Sequence, residues 1–264
     1  MAEPQRPLQD RAAIVTGGGY GIGKEIALAM GRAGANVALA ARSAEKLEAV
    51  AEQLRALGTR PSVFALDVRD EDAVRAMVAR TLEAHGRIDV LINNSGIAGP
   101  TALARDITGA QWNETIQVNL TGAFYCAKHA GAAMIAARRG AIVNVSSNAG
   151  RIGFPLRTPY AASKWGMIGL SHSLAAELGP YGIRVNALLP GAVQGERFDS
   201  VVAARARSIG KPFQQLMGER MGAVPLRRLV TEREVAEAAL FLASDAATGI
   251  TGQAFSVDGG DRMQ

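Results

Sequence analysis

Tyr160 and Lys164 stand four residues apart in "TPYAASKWGMIGL", where a helical pattern begins, so their side chains share one face. A free phenol is a poor acid or base near neutrality, with a pKa of about 10. A neighbouring ammonium favours the phenolate and lowers that value, which suits the pair to exchange a proton with a carbonyl or alcohol oxygen. Ser147 follows the β-type run "GAIVNVS", and its hydroxyl could hydrogen-bond such an oxygen as charge develops on it. Ordinary helices also carry Tyr-x-x-x-Lys, so the pair gains meaning only from its surroundings.

Other chemistries find little support. His85, His129 and His172 all fall within helical patterns, and no G-x-S-x-G elbow surrounds Ser147, which disfavours a hydrolase. Three scattered histidines make no recognisable metal site, and none is expected. Cys126 is the one cysteine, so an internal disulfide and a CxxC pair are both excluded, and it reads as a small buried apolar side chain.

A second constellation lies near the start, in "IVTGGGYGIGKEIALAM". Five glycines fall within the seven residues 17–23, just before an amphipathic run. Glycine is the residue whose backbone costs most entropy to fix, so the cluster needs a reason. Between a strand and a helix, free backbone N–H groups and the helix N-terminus together make an anion site. The strict GxGxxG fingerprint fits no frame here; Thr16-Gly17-x-x-x-Gly21-x-Gly23 does. The second apolar run ends in Ala-Ala-Arg42-Ser, with no acid to take the ribose hydroxyls of NAD and an arginine able to take the 2′-phosphate of NADP. Asp67 closes the third run, and Asn93-Asn94-Ser95-Gly96 closes the fourth.

These groups need a scaffold that gathers strand ends. Apolar β-type runs at 12–16, 36–41, 61–66, 88–92, 140–146, 182–189 and 253–257 alternate with helical patterns near 22–33, 43–57, 70–85, 110–138, 159–179 and 231–243. Such alternation predicts an α/β fold: a doubly wound parallel sheet of about seven strands with helices on both faces. Ligands of such sheets lie beyond the carboxyl ends of the strands. The 264 residues suffice for one such domain, and no linker, repeat or low-complexity tract divides them. Lys and Arg exceed Asp and Glu by 29 to 24, a mild excess scattered along the chain, unlike a nucleic-acid stripe. The opening "MAEPQRPLQD" has no apolar core and no run could span a bilayer, so a cytoplasmic location is expected.

Taken in order, Thr16-Gly17-x-x-x-Gly21-x-Gly23, Asp67, Asn93-Asn94-x-Gly96, Asn119 in "VNL", Ser147, Tyr160-x-x-x-Lys164 and Pro190-Gly191 resemble the short-chain dehydrogenase/reductase family, whose likeness extends over essentially the whole chain. The resemblance implies a single Rossmann-type domain and an NAD(P)(H)-dependent oxidoreductase that interconverts a carbonyl and a secondary alcohol. Within it Tyr160 would be the acid and base, Ser147 would hold the reacting oxygen, Lys164 would bond the nicotinamide ribose, and Asn119 would position a water linking Lys164 to solvent. Family spacing selects Ser147 over Ser146, which would point away because neighbours on a strand alternate faces. The implied cofactor contacts come from Thr16, Gly17, Gly19, Tyr20, Gly21, Ile22 and Gly23, then Arg42, Asp67, Val68, Asn94 and Gly96. Tyr160, Lys164, Pro190, Gly191 and Val193 complete them.

Three departures bear on this. Tyr20 stands where many NADP-preferring relatives carry a base, leaving Arg42 as the main reader of the 2′-phosphate. Ser95 replaces an alanine. Gly195 lies near the place of a threonine, which leaves the Val193 backbone to hold the carboxamide. On balance NADP(H) is expected ahead of NAD(H), in a carbonyl reductase. The resemblance also implies a homotetramer or homodimer, with 159–179 and the last strand at the interfaces.

Residues 194–229 break the strand-helix rhythm and read as a substrate lid. They carry Arg197, Arg205, Arg207, Lys211, Arg220, Arg227 and Arg228 among Phe198, Phe213 and Met217, while Arg151 and Arg157 lie between Ser147 and Tyr160. Such charge suits an anionic substrate, a keto acid or a phosphopantetheine-linked acyl group, and equally suits solvated arginines on surface helices. Two other functions share these features: a catalytically silent cofactor-binding regulator, and a sugar-nucleotide epimerase or dehydratase. The first commonly lacks the Tyr or Lys, and the second needs a larger carboxyl-terminal domain.

Overall fold

The computed structural model describes residues 6–261. The first half of the opening "MAEPQRPLQD" lies outside them. Among the described residues seven strands form: β1 (Ala12–Thr16), β2 (Asn36–Ala41), β3 (Ser62–Ala65), β4 (Val90–Asn93), β5 (Gly140–Val145), β6 (Ile183–Pro190) and β7 (Ala254–Val257). All pair in parallel, in the order β3-β2-β1-β4-β5-β6-β7. Each expected strand is present with its ends within two residues.

The apolar runs are explained by burial on both faces. On one side Ala13, Val15, Val37, Leu39, Val90, Ile92, Val143 and Val145 pack against α1 (Gly21–Arg32), α2 (Ala44–Ala56) and α9 (Glu232–Ala243). Between them Ile14, Ala38, Leu91 and Ile142 face the opposite way, onto α3 (Glu71–His85), α5 (Gly122–Ala137) and α6 (Thr158–Leu178). The period-two alternation of a strand thus feeds two separate cores.

Local signals set the helix starts. Ser43 accepts from Lys46 N–H at the head of α2, Asp70 accepts from Ala73 N–H at the head of α3, and Thr231 and Glu234 bond reciprocally at α9. Each such cap is worth about 1 kcal/mol. Helix α1 differs: Tyr20 provides no side-chain cap and its first turn holds no acid.

Two expectations change. The single helix over 110–138 divides into α4 (Gly109–Ile116) and α5, separated by one wide turn at Gln117–Thr121 in which Gly122 N–H reaches Gln117 O. The extra residue centres on Asn119, which is wholly buried. A wide turn is invisible to hydrophobic period because apolar residues continue on both sides. Residues 194–229 contain two helices, α7 (Glu196–Ile209) and α8 (Phe213–Ala223), joined through their own small cluster of Val202, Ala206, Leu216, Phe198, Phe213 and Met217. Among the described residues no helix is long and apolar enough to cross a membrane.

Candidate active site

The sheet order reverses between β1 and β4, whose outgoing loops therefore lie side by side. Thr16 locks them together. Its buried hydroxyl donates to Ile92 O at 3.3 Å and accepts from the N–H groups of Asn94 and Ser95, both at 3.0 Å. Asn94 returns the tie, donating through Nδ2 to Thr16 O at 3.1 Å and Gly17 O at 3.3 Å. Thr16 and Asn94 thus hold the loop's shape from within.

The glycine loop fits a dinucleotide. Gly17 and Gly21 adopt φ of 66° and 58°, in the left-handed region. A Cβ on Gly17 would lie 2.8 Å from Asn94 Nδ2, and one on Gly23 would run into the Gly17 carbonyl. Bare backbone followed by an uncapped helix start is what a pyrophosphate needs. Glu232 Oε1 lies 3.3 Å from the point a Cβ on Gly21 would occupy. Burial, and then neighbouring Glu25, hold its carboxyl above the ordinary range.

At the end of β2, Arg42 is exposed. Lys46, one helical turn further on, places its ammonium 5.2 Å from the centre of the Tyr20 ring. Asp67 is tied to Arg69 at 2.7 Å, and that bond, with Arg42 adding to it, keeps its carboxyl below the usual range. Val68 packs against the first turn of α5, where a Cβ on Gly122 would meet it at 2.6 Å. Beyond β6, Gly191 N–H bonds Val257 O at 3.0 Å. Val193 bridges Val230 through Gln194 N–H and Val230 N–H, so its own N–H takes no part in the bridge.

Tyr160 and Lys164 occupy the first turns of α6, whose start is set by Pro159. Lys164 is 4% exposed; its Nζ donates to Val145 O at 2.7 Å and lies 5.7 Å from the centre of the Tyr160 ring. Burial works against the Tyr160 phenolate. Lys164, and after it Arg197, a hydrogen bond from Ser147 and Arg157, outweigh that effect and bring the phenol below its ordinary pKa. Burial also lowers Lys164, with Tyr160 opposing. The strand alternation separates the two serines: Ser146 turns toward α6 and donates to Lys164 O at 2.8 Å, while Ser147 reaches Tyr160.

Asn119 is brought to the same place but its amide is engaged. Oδ1 accepts from Ile97 N–H at 2.7 Å, and Nδ2 donates to Ile97 O and to Ser163 Oγ, both at 3.1 Å. Ser163 in turn donates to Tyr160 O at 2.7 Å. The side chain clamps the Gly96–Ala98 loop onto α6. A Cβ on Gly96 would sit 3.2 Å from Asn119 Oδ1, so the loop passes close.

A phenol, an ammonium and a hydroxyl converge at the carboxyl edge of a doubly wound sheet, beside a glycine cradle. Residues 17–261 match a family model described as Enoyl-(Acyl carrier protein) reductase. The chain belongs to the short-chain dehydrogenase/reductase family. It is 38% identical over 254 residues to a 3-oxoacyl-(acyl-carrier-protein) reductase of Staphylococcus aureus strain Mu50, covering 96% of this chain and 98% of that one. Among solved structures, NAD+-bound xylitol dehydrogenase superposes with a TM-score of 0.93 at 31% identity, over 96% of this chain and 99% of that one. Levodione reductase gives 0.91 at 31% identity, over 96% and 98%. As a short-chain dehydrogenase/reductase, the protein is an oxidoreductase that interconverts a carbonyl and an alcohol with a nicotinamide cofactor.

Sequence reasoning missed three participants. Ser163 was hidden as one small residue among the small residues of "YAASK". Lys46 was hidden because its nearness to Tyr20 follows from α2 folding back along the glycine loop. Arg157 was seen only as loop charge. The structure sorts the basic residues further: Lys211 pairs with Glu219 at 2.9 Å, Arg220 with Asp261 and Arg228 with Glu234 at 2.6 Å. Arg227 bonds Gly222 O, Arg151 bonds Ala254 O at 2.7 Å, and Arg205 and Arg207 are exposed on α7. Arg157 and Arg197 remain, and both act on Tyr160. Cys126 is buried, its thiol pushed up to about 12 by that burial. His85 bonds Ser62 and His129 bonds Glu71, and among the described residues no three potential ligands gather around a metal position.

Proposed function

We propose that the protein is an NADP(H)-preferring carbonyl reductase and secondary-alcohol dehydrogenase in which Tyr160 moves the proton. The observation that carries this is the Lys164 ammonium 5.7 Å from the Tyr160 ring, with Ser147 just beyond the end of β5 on the same side. The nicotinamide, when bound, supplies or takes up the hydride. Tyr160 gives its proton to the carbonyl oxygen in reduction and takes it back in oxidation. Ser147 holds that oxygen, so negative charge developing there meets a donor already in place. Lys164 keeps the phenol acidic, and Asn119 is a positioning residue that fixes the Gly96 loop and the first turn of α6.

For the cofactor, Gly17, Gly19, Gly21, Ile22 and Gly23 cradle the pyrophosphate, while Asp67, Val68 and Gly96 line its adenine and nicotinamide flanks. Pro190, Gly191 and the Val193 backbone hold the carboxamide end. Arg42, with Lys46 beside Tyr20, reads the 2′-phosphate, which supports NADP(H) over NAD(H). Helices α7 and α8, in residues 194–229, serve as the substrate lid on this single cofactor-binding domain.

We further read the molecule as cytoplasmic and homo-oligomeric, a tetramer or dimer. Trp165 on α6 is exposed beside a surface recess of about 450 Å³ lined by Arg151, Ile168 and Gln253, a face suited to a second copy.

The test of the reaction is Tyr160→Phe. It removes one oxygen and should leave NADPH affinity within about twofold while lowering turnover by at least about a thousandfold. Turnover near the wild-type rate would remove Tyr160 from the chemistry. Cofactor binding with no turnover of any carbonyl or alcohol by the wild type would instead favour the silent regulator.

A further inference from the structure

Arg157 is the residue just ahead of α6 and is 4% exposed. One guanidinium nitrogen, Nη2, donates to Ala98 O at 2.6 Å. Nε and Nη1 are buried and, among the described residues, have no hydrogen-bond partner. The group stands 5.1 Å from the centre of the Tyr160 ring and 5.9 Å from that of Phe154. Arg197 reaches in from α7 and donates through Nη1 to Gly96 O at 3.1 Å. Among the described residues neither guanidinium is paired with a carboxylate.

Such an arrangement opposes folding stability. A buried charge is tolerated when paired, and removing its partner typically costs about 3–5 kcal/mol. Here Arg157, Arg197 and Lys164 converge on a single phenol, which supplies one negative charge only when ionised. Burial lowers the Arg157 pKa, Tyr160 counters it, and Arg197 adds repulsion. Three cations around one ionisable partner leave a deficit of negative charge. The cofactor's phosphates do not meet it, because the glycine cradle lies beyond β1 and Arg157 lies beyond β5.

We propose that Arg157 and Arg197 form an anion subsite beside Tyr160 that takes the carboxylate of a keto or hydroxy acid. The proposal rests on reading Tyr160 as the proton-transfer group, since it is the substrate whose carboxylate is then brought there. A guanidinium lying near two aromatic rings keeps free donors on two of its three nitrogens, and carboxylate is the anion whose plane matches them. Arg197 reads the same anion from the lid, so binding of the acid ties α7 to the Gly96 loop.

The test begins without turnover. Purified full-length protein is titrated calorimetrically with sodium propionate and, separately, with propionamide, which has the same shape and no charge. Propionate should bind and propionamide should not. Activity follows with pyruvate, acetoacetate and levulinate, each against its methyl ester, so that the preferred acid also reports the carboxylate-to-carbonyl spacing. The acid should exceed its ester in kcat/KM by about thirtyfold, the discrimination of one charge-assisted contact. Arg157→Gln and Arg197→Gln should each weaken propionate and lower the acid-to-ester ratio by at least about tenfold, with Arg157→Lys recovering part of both. The ratio is the readout because Arg157 also bears on Tyr160.

Equal binding of propionate and propionamide, esters that match or beat their acids, or ratios unchanged in both variants would overturn the subsite. If Arg157→Gln does not fold, Arg197→Gln decides, because that side chain is exposed. Arginine-dependent propionate binding together with full activity of Tyr160→Phe would keep the subsite and discard the proton-transfer reading. Esters reduced as well as acids, with Tyr160→Phe inactive, would do the reverse.

Discussion

Lys164 donates to Val145 O at 2.7 Å while holding its ammonium 5.7 Å from the Tyr160 ring centre, so one backbone carbonyl of β5 aims the charge that acidifies the phenol. The sign of the pH dependence follows. Oxidation of an alcohol needs the phenolate, so its kcat/KM rises with pH through the lowered Tyr160 pKa and levels above it. Reduction needs the phenol and falls across the same range. Lys164→Met removes the largest charge effect lowering that pKa, and the rising limb of oxidation should move to higher pH. Superimposable pH–rate profiles for wild type and variant would show that the ammonium does not set the phenol.

In the proposed reading, cofactor choice rests on Arg42 and Lys46, two residues of different visibility. Arg42→Ala and Lys46→Ala should each weaken NADPH binding by roughly tenfold and leave NADH within about twofold. The measurement is a fluorescence titration with each dinucleotide. Tighter NADH than NADPH binding by the wild type would make Arg42 a solvated side chain and reverse the preference.

Thr16 serves three bonds between two loops. Thr16→Val keeps the shape and leaves two N–H groups of the Asn94 loop without their acceptor, which should cost about 2–3 kcal/mol. Urea denaturation reads the loss directly. Thr16→Ser, which keeps the hydroxyl, should stay close to wild type; equal losses in both variants would assign the effect to the missing methyl.

Gly23 has no room for a side chain, since a Cβ would occupy the space of the Gly17 carbonyl. Gly23→Ala should therefore displace the cradle and abolish measurable binding of either dinucleotide. Gly58→Ala is the control: the space there is open, and only its φ of 81° is strained, at about 1–2 kcal/mol. Normal dinucleotide binding by Gly23→Ala would remove the glycine loop from the cofactor site.

Most of the architecture was legible because strands buried on both faces read as unbroken apolar runs, and Ser43, Asp70 and Thr231 mark helix starts by local hydrogen bonding. Tyr160 and Lys164 were legible for the same local reason: four residues on one helix make neighbours whatever the fold. The wide turn at Asn119 was not, because a one-residue insertion leaves the apolar pattern on either side intact. Nor were the two helices of residues 194–229, whose few apolar residues bury one another, away from the sheet.

By itself, then, the amino-acid sequence determined the order of strands and helices, the glycine cradle and the Tyr-Lys pair, all of which depend on periods and spacings within about twenty residues. Tertiary structure decided which distant groups meet. It joined Thr16 to Asn94, turned Asn119 onto Ile97, and left Arg157 buried without a carboxylate among the described residues, while Arg220 and Arg228 found theirs. Nine arginines and lysines were indistinguishable as letters. Burial and the presence or absence of a counter-ion are properties of packing between remote segments, and those two properties single out Arg157 beside the phenol.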